Sequence, residues 1–183
     1  MKKWEVTKRR TVHRNRYFSI VEEEFHLPAE KRGKYYLLEV PDFVAAVALE
    51  DDCLYFVRME RYTLHRGSLE LPMGGIEPGE TPLAAARREL REEAGIKARR
   101  WRRLGRLEAY KGRSDQRYTV FVAEGLEFGP AQPDEIERAG GIRLVRIPLK
   151  EVPELIRRGR ITDSHTIATF QLFMLTYKDS ISR

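Results

Sequence analysis

Apolar positions along this chain of 183 residues fall into short strand-like runs and three stretches with helical spacing. Tyr17–Leu27 carries Phe18, Ile20, Phe25 and Leu27 as a strand, and Lys34–Val40 returns from it across a turn at Pro28–Gly33. Pro41-Asp42 separates this hairpin from Phe43–Leu49, an uncharged apolar run that reads as a buried strand. Glu50-Asp51-Asp52 turns the chain and Cys53–Met59 comes back. Ser68–Pro72 is a further strand, closed by a proline that cannot donate to a ladder. Leu107–Tyr110, Arg117–Ala123 and Ile142–Ile147 complete the strand set, with Asp134–Glu137 as a surface loop or short helix. The helical stretches are Leu83–Ala94, with Leu83, Ala86, Leu90 and Ala94 on one stripe; Val152–Arg158, ended by Gly159; and a last helix capped by Asp163 or Ser164, with Ile167, Phe170, Met174 and Tyr177 inside. Strands interleaved with helices predict an α/β fold, a mixed sheet covered on both faces. Residues 1–41 form an N-terminal antiparallel β unit and residues 42–183 the main domain.

Composition narrows the class. A hydrophobic content of 42% suits a globular protein, and no apolar run is long enough to span a bilayer. No apolar segment follows the basic start Met1-Lys2-Lys3-Trp4, so neither a signal peptide nor a membrane partner is expected. The single cysteine, Cys53, excludes an internal disulfide, fits a reducing cytoplasm, and reads as a core residue within its strand. A charged fraction of 34%, with one Asn and three Gln, points to a thermophilic source. The net charge of +6 suits an anionic partner, for which a nucleotide diphosphate and a nucleic acid both qualify. Lys97–Arg106 places six basic residues around Trp101; it reads as an exposed strand whose arginine stems cover apolar surface, so nucleic acid is not the expected partner.

The chemistry concentrates between Gly74 and Ile96. A glycine-rich loop ends at Pro78-Gly79, Thr81 is an N-cap, Pro82 a first-turn residue and Gly95 a stop. Glu89, Glu92 and Glu93 crowd the last two turns, at the negative end of the helix dipole. Two carboxylates about 4 Å apart repel by roughly 4 kcal/mol at an effective dielectric of ~20, so the group asks for a cation. Oxygen-only donors suit a hard ion such as Mg²⁺, or Mn²⁺ in its place.

Gly74, Glu80, Arg88-Glu89-Leu90, Glu92-Glu93 and Gly95-Ile96 resemble the Nudix box at every fixed position. Weaker similarity along the chain resembles the ADP-ribose pyrophosphatase branch of the Nudix hydrolases. This resemblance implies an α/β/α sandwich and Mg²⁺-dependent cleavage of the pyrophosphate bond in a nucleoside diphosphate linked to another moiety. ADP-ribose, giving AMP and ribose 5-phosphate, is the first substrate to expect. FAD, NADH, a GDP-sugar, a dinucleoside polyphosphate or capped RNA stay open, as does a non-catalytic nucleotide- or RNA-binding module. By the same resemblance Met73 adds a backbone carbonyl to Glu89, Glu92 and Glu93 as metal ligand. Glu92 and Glu93 are catalytic, while Gly74, Glu80, Arg88 and Gly95 build the loop. Arg61 grips a phosphate, Glu70 lies near the site, and Ser114-Asp115 matches a hydroxyl and acid pair of the branch. Lys111 stands where a proline is usual and can meet a terminal phosphate. Gln116 replaces a frequent glutamate, which leaves Asp115 or a box carboxylate as base. His165 is a capping or packing residue. The N-terminal sheet, by the same resemblance, crosses to a partner subunit in a homodimer.

Overall fold

The computed structural model describes residues 4–27 and 31–181, with side chains to Tyr177. Met1–Lys3, and Pro28–Glu30 of the expected turn, lie outside these residues. The chain divides into two units: one runs to Asp42 and also takes in Glu108–Arg117, and the other comprises Phe43–Leu107 and the residues from Tyr118 onward.

In the first unit β1 (Glu5–Arg14), β2 (Ser19–His26) and β3 (Arg32–Glu39) form an antiparallel sheet in that order. The hydrophobic pattern does not predict β1, and all ten of its residues are exposed. Cross-strand chemistry holds it instead. Arg10 lies opposite Glu22 and Arg9 opposite Glu23, and each pair is hydrogen-bonded. Phe25 stacks on Trp4 with ring centroids 5.0 Å apart. Across the ladder Phe25 faces Gly33, where a Cβ would come within 2.6 Å of its ring, so only glycine lets the ring lie over β3.

Apart from the strand-end residues Glu108 and Arg117, the second unit holds β4 (Phe43–Glu50), β5 (Cys53–Arg61), β6 (Arg66–Glu70), β7 (Met73–Gly75), β8 (Ile96–Glu108), β9 (Arg117–Phe128) and β10 (Arg143–Pro148). They make a seven-stranded mixed sheet ordered β10-β5-β4-β9-β8, with β6 paired to β5 and β7 to β4. β4 is parallel to β9 and antiparallel to β5 and β7. The β4–β5 hairpin turns on Asp51 and Asp52, both left-handed (φ 49° and 53°), a conformation that aspartate tolerates and that matches strand twist.

Among the described residues four α-helices complete the unit: α1 (Pro82–Ala94), α2 (Glu135–Ala139), α3 (Val152–Arg157) and α4 (Ser164–Ile181). Val44–Ala48 is almost wholly buried because both faces of β4 are covered. Val44, Ala46 and Ala48 pack with Ala85, Ala86, Leu90 and Ala94 of α1. Strand alternation turns Phe43, Ala45 and Val47 the other way. His165 of α4 sits edge-on against Phe43 and Tyr118, which places α4 on that opposite face. The result is the expected sandwich of helices around a mixed sheet. Among the described residues no helix is long and apolar enough to cross a membrane.

Candidate functional site

The site grows from the β7–α1 connection. The N–H of Ala46 donates to Pro72 O at 2.9 Å and that of Leu71 to Thr166 Oγ1 at 3.0 Å, which anchor the approach to β7. Thr81 caps α1 by accepting the Ala84 N–H at 3.2 Å, with Pro82 at the first helical position. Gly95 ends the helix in the left-handed conformation, φ 67°.

At about 100° per residue, Glu89 and Glu93 fall on one edge of the apolar stripe of α1. Glu93 is 4% exposed and Glu89 8%. Glu93 Oε2 accepts the Met73 N–H at 3.1 Å. That bond and the field of Arg61 do not offset burial and the neighbouring acids Glu89 and Glu137, so the Glu93 carboxyl is held well above its ordinary range. Burial likewise lifts Glu89 to about 7, with Glu92 and Glu137 adding and Arg88 opposing. Glu89 lies directly over Gly74, where a Cβ would stand 2.2 Å from the carboxyl carbon. Glycine at that position is the cradle for the acid.

Arg88 organises the loop. Its Nε and Nη2 donate to both oxygens of Glu80 at 3.1 and 3.0 Å, and Nη2 also to Gly75 O at 2.7 Å. Its Nη1 reaches Glu89 at 2.7 Å and Glu92 at 3.2 Å. Glu80, the largest influence, raises the Arg88 pKa further, so the guanidinium stays charged. Glu80 also takes the Glu77 N–H at 3.1 Å. One cation is thus shared by three acids.

Arg61 and Glu70 pair with each other through two hydrogen bonds, 3.0 and 2.5 Å. Arg61 also feels Glu93 and Asp163, which puts it on the site side of β5, and its Nη1 makes no hydrogen bond among the described residues. Asp163 caps α4 by accepting the Thr166 N–H at 2.7 Å, and His165 packs on two rings. Asp163 lies below its usual range: burial raises it, but bonds from His165 and Thr166 outweigh this.

Lys111, Ser114 and Asp115 belong to the first unit. Ser114 is buried and its Oγ takes the Gln116 N–H at 3.1 Å, closing the turn, while Lys111 and Asp115 are exposed. Gln116 Nε2 donates to Pro41 O at 2.7 Å. The residue missing from the sequence reading is Glu137 of α2, whose charge raises both Glu89 and Glu93. Its signal was the pair Asp134 and Glu137 three apart: each side chain takes the other's N–H at 2.8 Å, a capping box that starts a helix and fixes Glu137 in place.

Among the described residues no three acids, histidines or cysteines draw together into a ready cluster for a metal. Unscreened carboxylates repel, and Arg88 holds Glu89 and Glu92. The donor set nonetheless fits a hard divalent cation. It is all oxygen, two members are buried, and the local positive charge falls short of the negative.

A family model described as NUDIX domain matches residues 41–170. An ADP-ribose pyrophosphatase of Mycobacterium tuberculosis is 32% identical over 161 residues, 86% of this chain and 77% of that protein. One of Bacillus subtilis is 28% identical over 154 residues, 84% of this chain and 83% of its own length. A crystal structure of an ADP compounds hydrolase shares the fold with a TM-score of 0.88 at 24% identity, covering 98% of this chain and 97% of that one.

Proposed function

The chain belongs to the NUDIX domain family, and on that premise we propose that it hydrolyses the pyrophosphate bond of ADP-ribose, with Mg²⁺, to AMP and ribose 5-phosphate. The observation that carries this reading is the buried pair Glu89 and Glu93, crowded by Glu92 and Glu137, with Arg88 bonded to Glu89 and only the field of Arg61 acting on Glu93. An acid group in such deficit of positive charge attracts a divalent ion. The two relatives named ADP-ribose pyrophosphatase, each aligned over more than four fifths of this chain, support the substrate.

Glu89, Glu93, Glu92 and the Met73 carbonyl would hold the cation. When bound, it offsets the charge of the diphosphate and lowers the pKa of a water. Binding it displaces protons from Glu89 and Glu93, since the ligating form is the carboxylate. Arg88 keeps Glu89 and Glu92 oriented, and Glu80 keeps Arg88 in place. Arg61, with Nη1 available, takes a phosphate oxygen while Glu70 fixes its plane. Glu137 joins Asp115 and the box acids as a candidate to orient the attacking water, because its charge already acts on both Glu89 and Glu93. Lys111 and Ser114 act on substrate only through the first unit, whose exposed β1 is proposed as part of a homodimer contact.

The test is hydrolysis of ADP-ribose, NADH, FAD, a GDP-sugar and a dinucleoside polyphosphate with Mg²⁺ or Mn²⁺. The expected result is the highest kcat/KM on ADP-ribose and none after chelation. Higher kcat/KM on another member replaces the substrate; metal-independent turnover removes the mechanism.

A further inference from the structure

The arginines on the far edge of α1 have no part in the chemistry above. At about 100° per residue, Arg87 and Arg91 lie roughly 160–200° round the helix from Glu89, across the apolar stripe. With Lys97 they border a cleft of about 480 Å³ that Trp101 also lines, and Arg88, whose guanidinium is engaged by Glu80, Glu89 and Glu92, closes its edge toward the carboxylate site. Arg91 and Lys97 also border a second cleft, of about 410 Å³, with Phe128, Pro130 and Gln132 on its other side. Two cations therefore stand on the divide between two hollows, each furnished with an aromatic ring.

Arg87 and Lys97 make no ion pair among the described residues, and Arg91 has only a 3.5 Å contact with Glu92. The acid on the rim, Glu127, is already bonded to Arg99 at 2.8 Å. Cations left without acids in a concave surface seek an anion. The alternation of ring, charge and ring matches one strand of a polynucleotide: bases stack on aromatic side chains while the linking phosphates meet the cations. A duplex hides its base faces and gains nothing from the rings. The net charge of +6 favours any such polyanion at long range. Of the basic run in β8, Lys97 and Trp101 enter this groove, and the helix supplies the rest.

We propose that the two-lobed groove bordered by Arg87, Arg91, Lys97, Trp101 and Phe128 binds single-stranded polynucleotide, independently of the carboxylate site.

The experiment uses fluorescein-labelled oligo-U and oligo-dT of about eight nucleotides, a length within the range of single-strand sites, and a matched duplex, followed by anisotropy against salt. The expected result is binding of single strands over duplex, with affinity falling as salt rises. Arg87→Ala, Arg91→Ala and Lys97→Ala together should weaken it on the order of tenfold or more and make the log–log salt slope shallower by about 2, near 0.7 for each phosphate contact. Circular dichroism checks that this variant is folded. In a Trp4→Phe background the fluorescence left is that of Trp101, which should quench on binding and stay quenched in saturating ADP-ribose. A preference for oligo-U assigns the strand to RNA; equal affinity assigns the groove to either sugar. No binding at low salt, an unchanged slope in the triple variant, equal affinity for duplex, or displacement by ADP-ribose would each overturn the proposal.

Discussion

Glu22 and Glu93 are both 4% exposed glutamates, one in each unit, yet their carboxyls move in opposite directions. Glu22 is bonded by Arg10 and by the Tyr36 hydroxyl at 2.6 Å, with Lys34 at 3.5 Å, and these donors hold it down to about 2. Glu93 is pushed well up by burial first and then by Glu89 and Glu137, against one backbone N–H and the field of Arg61. At Glu22 the bonds from Arg10 and Tyr36 outweigh burial; at Glu93 no cation among the described residues bonds the carboxyl, and burial wins. An acid whose neighbours already neutralise it holds a sheet together. One left short of positive charge is placed to bind a cation that the chain itself does not supply.

The largest test of this contrast exchanges charge for amide at each position. Glu93→Gln should lower kcat on the order of 10²–10³-fold, the several kcal/mol that a bound cation contributes, while the metal-free Tm holds or rises. Glu22→Gln should lower Tm and leave kcat unchanged. Thermal melts and steady-state rates on both variants check it, and a Glu93→Gln enzyme with wild-type turnover would end the metal assignment.

A smaller effect separates two candidates for the water. Glu137→Gln should cost about 10²-fold in kcat if it orients the nucleophile, and Asp115→Asn much less. The reverse order returns that role to the first unit. Gly74→Ala comes next. Its methyl would enter the space of the Glu89 carboxyl, costing about 1–3 kcal/mol of stability as overpacking does, and lowering metal affinity as Glu89 is displaced. Denaturant unfolding and metal titration read the two losses.

The smallest effect is in pH. Glu22, lowered from 4.5 to about 2, contributes stability that is present above pH 4.5 and lost as pH falls toward 2. Glu89, raised from 4.5 to about 7, has the opposite sign: its contribution is present below 4.5 and lost as pH rises through 7. Melts of metal-free protein should therefore slope on both sides. Glu22→Gln should flatten the acid limb and Glu89→Gln the neutral one. Saturating Mg²⁺ should restore the neutral limb, because it binds the ionised form.

Much of this was legible from residue order. Thr81, Pro82 and Gly95 bounded α1 because capping is local chemistry, satisfied within three or four residues. The Phe43–Leu49 run of β4 was readable because a strand covered on both faces carries apolar residues at successive positions. The spacing of Gly74, Glu89 and Glu93 marks the acid site in the residue order itself. β1 was not readable, since its partners are charges on β2 and no apolar alternation marks it.

What only the tertiary structure decided are pairings between residues far apart in the chain. Glu137 comes from α2 into the field of α1, Arg61 spends two of its nitrogens on Glu70, and Glu22 gathers donors from β1 and β3. The sequence by itself determined which acids stand at the end of α1, because helix period and caps are short-range. Whether a given acid is neutralised or left waiting for a cation depends on which strands and helices close around it. Coulomb energy in a desolvated site follows distance through space, and residue numbering does not record that distance.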